Sequence, residues 1–390
     1  MNQIARAIGR AMKIEDAALC FCASDKTFNE CCGRERSEQL TLLAKFFDKA
    51  VAYRDSQGGT IGSLPLGLWH AAEKRSLRRF GCIYPGCGNR AINSHLIPEN
   101  VLRANFGGHC NAYGSLDGEM TWRFIRMGVG RAGSLPVFCA THDSQMFREI
   151  DRLEIDFAAR DALFLFALKA IAFSLRRTQY LLGIDAQVEI ARPFLLHDKR
   201  QKHSSDGPHN TVIDVSALHG KYIGFLIVKD LWSHSIDAFR KQQWDFMSYL
   251  CRSLPCSKPL FFGGLLNPSH DLAGRRANNS ETPIAMACNV FVKDEMTHVL
   301  LACLGPSSQA AYQELLQQLR TADDDIFVAT VNNFLTVAAE KPLVPETRTF
   351  TSAELAKVDS LRRWAGECLR LTEQVFDLSN QGQSLTFIEL

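Results

Sequence analysis

The chain has 390 residues, more than a single hydrophobic core usually fills, so its length predicts about two or three domains. Its 46% hydrophobic, 22% charged and 9% aromatic residues are typical of a globular protein and exclude a disordered or fibrous chain. The formal net charge of +2 is uneven, because residues 60–150 carry ten Lys and Arg against six Asp and Glu. This local excess favours an anionic partner for that segment.

Two segments were considered for export or membrane insertion, and neither has the apolar pattern that these functions require. Residues 1–14 lack the unbroken apolar run of a secretory signal, so we expect a cytoplasmic protein. The most apolar stretch, Ala162 to Phe173, contains Lys169 and is too short to cross a bilayer. It predicts a buried core helix, and we expect no membrane partner.

Cysteines are the most informative residues of the chain. Seven of the thirteen fall into two groups within the first 150 residues, as metal ligands do in proteins of reducing compartments. The other six are expected to be small core residues: Cys110, Cys251, Cys256, Cys288, Cys303 and Cys368.

The first group lies near the N-terminus, at Cys20, Cys22, Cys31 and Cys32. Four thiolates so close together can surround one tetrahedral ion, and metal binding would supply the folding free energy that so short a segment lacks. Their spacing resembles the SEC-C motif, a zinc module of the SecA translocase and of many unrelated bacterial proteins. The resemblance implies a closed structural Zn²⁺ site that docks a partner protein and has no catalytic role.

Helical patterns follow the first group. Apolar residues at helical spacing predict helices over Glu38–Tyr53 and Leu66–Phe80, with a glycine-rich break at Gln57–Gly62. The stretch from Gly81 to Cys139 is rich in turn signals and short strand patterns. These features predict a small module whose folding is nucleated by a metal.

Two short motifs bound this module, Cys82-Ile-Tyr-Pro-Gly-Cys87 and Cys139-Ala-Thr-His142. Proline and glycine in the first motif favour a turn that brings both sulfurs to one side. Between the motifs lies Asn93-Ser-His95-Leu-Ile-Pro98, and Asp143 opens a predicted helix. This order resembles the zinc-stabilised HNH endonucleases, which have a ββα-metal, treble-clef-like core, over roughly residues 80–150.

The resemblance implies two metal sites. The structural Zn²⁺ ligands would be Cys82, Cys87, Cys139 and His142. His95 would be the general base that activates water, and Asp143 would bind a catalytic Mg²⁺ or Mn²⁺. Ser94 stands where these enzymes carry a further metal ligand, and serine is a poor ligand for Mg²⁺.

Two features of the module leave assignments open. The asparagine that orients the base is not evident, since residues 120–138 contain none, and the candidates are Asn93, Asn100 and Asn105. The pair His109-Cys110 could replace one of the assigned zinc ligands.

Basic residues interleaved with aromatic ones would contact phosphates, although they fit solvated helix faces equally well. These nucleic-acid contact candidates are Arg75, Arg78, Arg79, Arg123 and Arg126.

The remainder of the chain predicts an α+β domain after a long helix over Phe147–Leu182 and a polar linker over Asp198–His209. The expected strands are Tyr222–Val228, Pro259–Phe262, Ile284–Val292 and His298–Leu304, the last two joined as a hairpin. The expected helices are Ile236–Leu250, Ser308–Leu319 and Ala353–Leu371. Thr351 and Glu354 predict a capping box for the last helix.

The predicted fold is therefore α+β, with two N-terminal zinc modules, a helical connector and a mixed C-terminal domain. The expected boundaries are residues 1–58, 59–150, 151–200 and 201–390. We expect a metal-dependent HNH-type endonuclease acting on DNA or RNA, by analogy in bacterial defence or a mobile element. The alternative is a catalytically inactive, zinc-stapled adaptor that binds nucleic acid or protein. A weaker alternative is a triad of Ser269, His270 and Asp271.

Overall fold

A computed structural model describes most of the chain beyond residue 79. The described residues are 80–115, 122–151, 155–201, 215–255, 258–268, 270–277, 285–337, 342–348, 350–355 and 388. They form a mixed α+β structure in which three small sheets occur. Residues 80–176 and 227–390 belong to one compact unit, and the helical residues 177–201 and 215–226 belong to another.

The segment between the two cysteine motifs contains a strand pair with an insertion. Strand β1 (Asn93–His95) pairs antiparallel with β4 (Ser134–Pro136), and helix α2 (Ala140–Asp151) follows directly. The insertion contains helix α1 (Glu99–Phe106) and the antiparallel strands β2 (His109–Ser115) and β3 (Trp122–Gly128). Pro98 precedes α1, where a missing backbone donor costs nothing because the first helical N–H groups have no helical partner.

Two long helices follow, α3 (Arg160–Gln201) and α4 (Val215–Arg240). The predicted helix over Phe147–Leu182 is wrong as a single element, because Asp156 accepts a hydrogen bond from the Ala158 N–H at 2.8 Å in a turn between α2 and α3. The apolar stretch of residues 162–173 is buried in α3, as predicted. The expected linker begins too early, since α3 continues to residue 201. Among the described residues, no helix is long and apolar enough to span a membrane.

The predicted strand over residues 222–228 is also wrong, because this run lies within α4. An apolar run of strand length does not distinguish a strand from a buried helix turn. Phe225, Trp232 and Ile236 are buried at helical spacing along α4, which explains the helix. The predicted helix over Ile236–Leu250 ends at residue 240, because Gln242 adopts a left-handed backbone with φ 55°.

An antiparallel sheet of four strands forms the main core. Its strands are β5 (Met247–Pro255), β6 (Phe262–Leu266), β7 (Met286–Lys293) and β8 (Met296–Leu304), in the order β5-β8-β7-β6. Helices α5 (Gly305–Thr321) and α6 (Asp324–Val337) bury Tyr312, Leu315 and Phe334 in the same core. The predicted β7–β8 hairpin and the predicted helix over residues 308–319 are confirmed. Only Phe262 of the expected strand over Pro259–Phe262 is part of β6.

A short strand joins this region to the insertion. Strand β9 (Leu343–Val344) pairs with β2, so that one sheet has the order β3-β2-β9. The Thr351 and Glu354 capping box is confirmed, because the Thr351 N–H donates to Glu354 Oε2 (2.7 Å) and the Glu354 N–H donates to Thr351 Oγ1 (3.2 Å). The helix that it opens is described only to residue 355.

Candidate metal centre

Four side chains from the two cysteine motifs converge. The ligand atoms of Cys82, Cys87, Cys139 and His142 all lie within 4.8 Å of one another. Sγ of Cys87 is 3.9 Å from Sγ of Cys139, and His142 Nδ1 is 3.5 Å from Cys82 Sγ and 3.3 Å from Cys139 Sγ. Tetrahedral bonds of about 2.3 Å require sulfur separations near 3.5–4 Å. The cluster can therefore bind a structural metal ion such as zinc, as the sequence predicted.

Short backbone contacts bring the two motifs together. The Cys87 N–H donates to the Tyr84 carbonyl (3.0 Å) across a turn in which Gly86 has φ 81°, a conformation that favours glycine. The Ile83 N–H donates to the Val137 carbonyl (3.1 Å), which ties the first motif to the chain before the second. Cys139 precedes the first residue of α2, so His142 lies within the first turn, on the same side.

Electrostatics within the cluster distinguish its thiols. Burial raises the pKa of Cys82 to about 11. Burial also acts to raise the pKa of Cys139, but the His142 backbone N–H and hydrogen bonds from Cys87 and Cys82 outweigh it and lower that pKa. A bound cation would favour the thiolate form of every ligand, since metals bind deprotonated cysteine.

A buried arginine bridges the two motifs from α3. Arg176 is 2% exposed, donates hydrogen bonds to the Gly81 and Val137 carbonyls, and lies over the Phe80 ring at 4.2 Å. Burial lowers its pKa to about 10, and the nearby Cys82 opposes this shift. Three thiolates and a neutral imidazole around a divalent ion leave one net negative charge, which the guanidinium offsets.

The outer side of the cluster is covered by aromatic stacking. Tyr84 stacks on His142 with ring centroids 4.0 Å apart and planes at 14°. Arg240, the last residue of α4, lies 4.8 Å from the Tyr84 ring centroid and donates to the Pro85 carbonyl (3.2 Å). Tyr84, Arg176 and Arg240 were not predicted from the sequence. The available signals were an aromatic residue inside the first motif and an arginine ending an apolar helical run.

A second set of polar side chains lies beside the cluster, on β1 and α2. Ser94 is fully buried and accepts a hydrogen bond from the Phe138 N–H (3.3 Å). Burial raises the pKa of Asp143, while Lys169, Ser94 and His95 act to lower it. The structure thus brings the three predicted catalytic residues, His95, Asp143 and Ser94, into one neighbourhood.

Two atoms in this neighbourhood have unmet hydrogen-bonding capacity. His95 Nε2 and Asp143 Oδ1 are buried, and neither has a hydrogen-bond partner among the described residues. The carboxylate oxygen Glu99 Oε2 lies 3.9 Å from His95 Nε2, beyond hydrogen-bonding distance. Because an unpaired buried polar atom costs free energy, these atoms fit a site completed by a cation or water. We call Ser94, His95 and Asp143 the polar pocket.

Some of the other candidate residues lie within the described part of the chain, and the rest lie outside it. Cys110 is fully buried in β2, where burial raises its pKa to about 11, and it does not belong to the four-ligand cluster. Arg126 forms an ion pair with Glu346, and Arg123 lies in β3. The following candidates lie outside the described residues: Cys20, Cys22, Cys31, Cys32, Arg75, Arg78 and Arg79.

The remaining alternatives have structural explanations. Asn105 donates to the Val101 carbonyl (2.9 Å), and the Asn100 side chain accepts from the Val101 N–H (3.0 Å). Within the described residues, no asparagine hydrogen-bonds to His95.

Asp271 belongs to the alternative triad of Ser269, His270 and Asp271. It accepts hydrogen bonds from the Ala273 and Arg275 N–H groups, both at 2.9 Å. This turn, with the Arg275 side chain, outweighs burial and lowers the Asp271 pKa.

Comparisons with protein-family models, with curated proteins and with solved structures found no match to this chain.

Proposed function

We propose that this chain is a metal-dependent endonuclease in which Zn²⁺ fills the Cys82, Cys87, Cys139 and His142 cluster and the polar pocket hydrolyses phosphodiester bonds. The observation that carries the proposal is the pair of buried atoms without hydrogen-bond partners, His95 Nε2 and Asp143 Oδ1. Both belong to residues that the HNH resemblance assigns to catalysis, and they lie on β1 and α2 of a short strand pair followed by a helix.

Each residue of the pocket has a defined part in the reaction. His95 accepts the proton of the attacking water, and Asp143 holds a divalent cation with its free Oδ1. Ser94 favours the ionised form of the Asp143 carboxyl, because its side chain acts to lower that pKa. A bound Mg²⁺ or Mn²⁺ supplies positive charge against the scissile phosphate. The positive excess of residues 60–150 favours binding of the anionic substrate.

Replacement of His95 tests the proposal. His95→Ala should reduce cleavage of DNA or RNA by about a hundredfold or more, because that is the usual effect of losing a general base. Zinc content and nucleic-acid affinity should stay nearly unchanged, since His95 is not one of the four clustered ligands. Cleavage of labelled single- and double-stranded DNA and RNA is measured with Mg²⁺ and Mn²⁺. His234→Ala is the control, because His234 lies exposed in α4.

A second candidate is a zinc-stapled adaptor that binds nucleic acid without cleaving it. The observation that favours it is Ser94, whose hydroxyl is used within the fold and supplies no anionic ligand. On this alternative, the wild-type protein binds nucleic acid and leaves it intact under every metal condition. Such a result, with zinc present at full stoichiometry, would reject the nuclease and support the adaptor.

A further inference from the structure

We propose that Ser253 and His298 form a second reactive site, a nucleophile and its general base, which hydrolyses esters of small apolar acids independently of the proposed endonuclease. The two residues lie opposite each other on the antiparallel strands β5 and β8, and Ser253 Oγ is 2.8 Å from His298 Nδ1. In the neutral imidazole with its proton on Nε2, the serine hydroxyl donates this hydrogen bond. A histidine activates a serine nucleophile through such a contact.

The surroundings of the two side chains suit these parts. Ser253 is exposed on β5, which is an edge strand of its sheet, so a substrate can reach the hydroxyl. His298 is 8% exposed, and its ring centroid lies 4.2 Å from that of Phe157 and 5.5 Å from that of Phe291. The two rings restrict the imidazole, so the nucleophile is accessible while its base is held in place.

The charges around His298 keep the imidazole able to accept a proton. Burial lowers the pKa of His298, and the positive charge of Lys293 acts in the same direction. The Lys293 backbone and the charge of Asp294 oppose this shift without cancelling it. A histidine with a pKa below its usual value is mainly neutral at pH 7, which is the form that a general base requires.

A cavity of about 740 Å³ borders the pair, within the size range of small-molecule sites. Its wall contains Phe291, which contacts His298, and Pro255, which follows Ser253 by two positions and so lies on the same face of β5. Much of the remaining wall is apolar, including Ile97, Val101, Ile150, Ile155 and Phe166. An apolar acyl chain therefore fits this cavity with its carbonyl group toward Ser253.

The reaction is an acyl transfer in two steps. Ser253 Oγ bonds to the ester carbonyl carbon while its proton passes to His298 Nδ1, and the alcohol leaves with that proton as the ester C–O bond breaks. Water then attacks the acyl group, and His298 takes the proton of water and returns it to Ser253 Oγ as the acid is released. Lys293 lines the cavity and its charge acts on His298, so it offers positive charge to the substrate oxygen that becomes negative.

Covalent labelling of the zinc-loaded, full-length protein tests the proposal. A fluorophosphonate probe should modify Ser253, as identified by peptide mass spectrometry, and the protein should hydrolyse para-nitrophenyl butyrate. Ser253→Ala should remove the label and lower hydrolysis about a hundredfold or more, because the nucleophile is lost. Ser248→Ala is the matched control, since Ser248 lies in the same strand on the opposite face of the sheet. It should be labelled and should hydrolyse the ester as the wild-type protein does.

A second variant separates the base from a structural contact. His298→Gln keeps a polar side chain and should slow labelling of Ser253 about a hundredfold, with thermal unfolding measured in parallel. Labelling of this variant at the wild-type rate would reject His298 as the base. If the probe does not modify Ser253, or if Ser253→Ala hydrolyses the ester as fast as the wild type, the pair is only a cross-strand hydrogen bond. Nucleic-acid cleavage by Ser253→Ala should equal that of the wild type, so the endonuclease and the esterase are tested separately.

Discussion

The metal cluster and the polar pocket are neighbours that share helix α2, yet they differ in how their polar atoms are satisfied. Four ligand atoms face one another in the cluster, whereas two buried atoms of the pocket face no hydrogen-bond donor or acceptor among the described residues. The first turn of α2 supplies both sites, with His142 in the cluster and Asp143 in the pocket. Consecutive helical residues point about 100° apart, so one turn can supply a structural site and a reactive one.

The largest expected effect is on the cluster. Cys139→Ser removes a ligand that lies within 4 Å of both Cys87 and His142, and a structural zinc site contributes about 10 kcal/mol or more to folding. We expect loss of zinc and of the cooperative thermal transition of residues 80–151, measured by elemental analysis and circular dichroism. Cys251→Ser, at a partly buried position in β5, is the control and should retain zinc. A zinc-loaded, stable Cys139→Ser protein would refute the assigned ligand set.

The distance along the chain between contacting residues decides what could be predicted from the sequence. The cluster was predictable because each of its motifs is local, with ligands five or three positions apart. Arg176 and Arg240 were not, since they reach the first motif from positions about 95 and 155 residues away.

The same distinction between local and distant signals applies to the helices and strands. The β7–β8 hairpin and α5 were predicted because their apolar patterns have the correct period and clear turn signals. The strand expected over residues 222–228 was wrong, since its helical character depends on Trp232 and Ile236 further along α4. Local pattern therefore identifies elements where one segment carries the whole signal, and it fails where burial is decided by a distant partner.

The next largest effect is expected from replacing the buried Arg176 beside the cluster, and replacing the more exposed Arg240 should have a smaller one. Arg176→Met removes the side-chain donor to the Gly81 carbonyl and one of the two donors to the Val137 carbonyl, and it should cost about 3 kcal/mol in unfolding free energy. Zinc should also be lost faster to a chelator, because the offsetting charge is gone. Arg240→Gln should cost only about 0.5–1 kcal/mol, since its contact with Tyr84 is partly exposed. Denaturant unfolding measures both, and equal losses would contradict the comparison.

The smallest effect on the cluster is expected from a substitution that perturbs only the pocket. Leu96 follows His95 and packs against β6, where a Cβ added at Gly263 would lie 2.6 Å from Leu96 Cδ2 and 2.9 Å from its Cγ. Gly263→Ala must therefore displace Leu96, at a cost of about 1–2 kcal/mol for an overpacked contact. The shift should pass to His95 and lower any hydrolysis and Mn²⁺ binding while zinc content stays unchanged. Gly108→Ala is the matched control, because a Cβ there meets no atom within 4 Å. Loss of zinc from Gly263→Ala would show that the pocket and the cluster are not separable, since Leu96 would then support both.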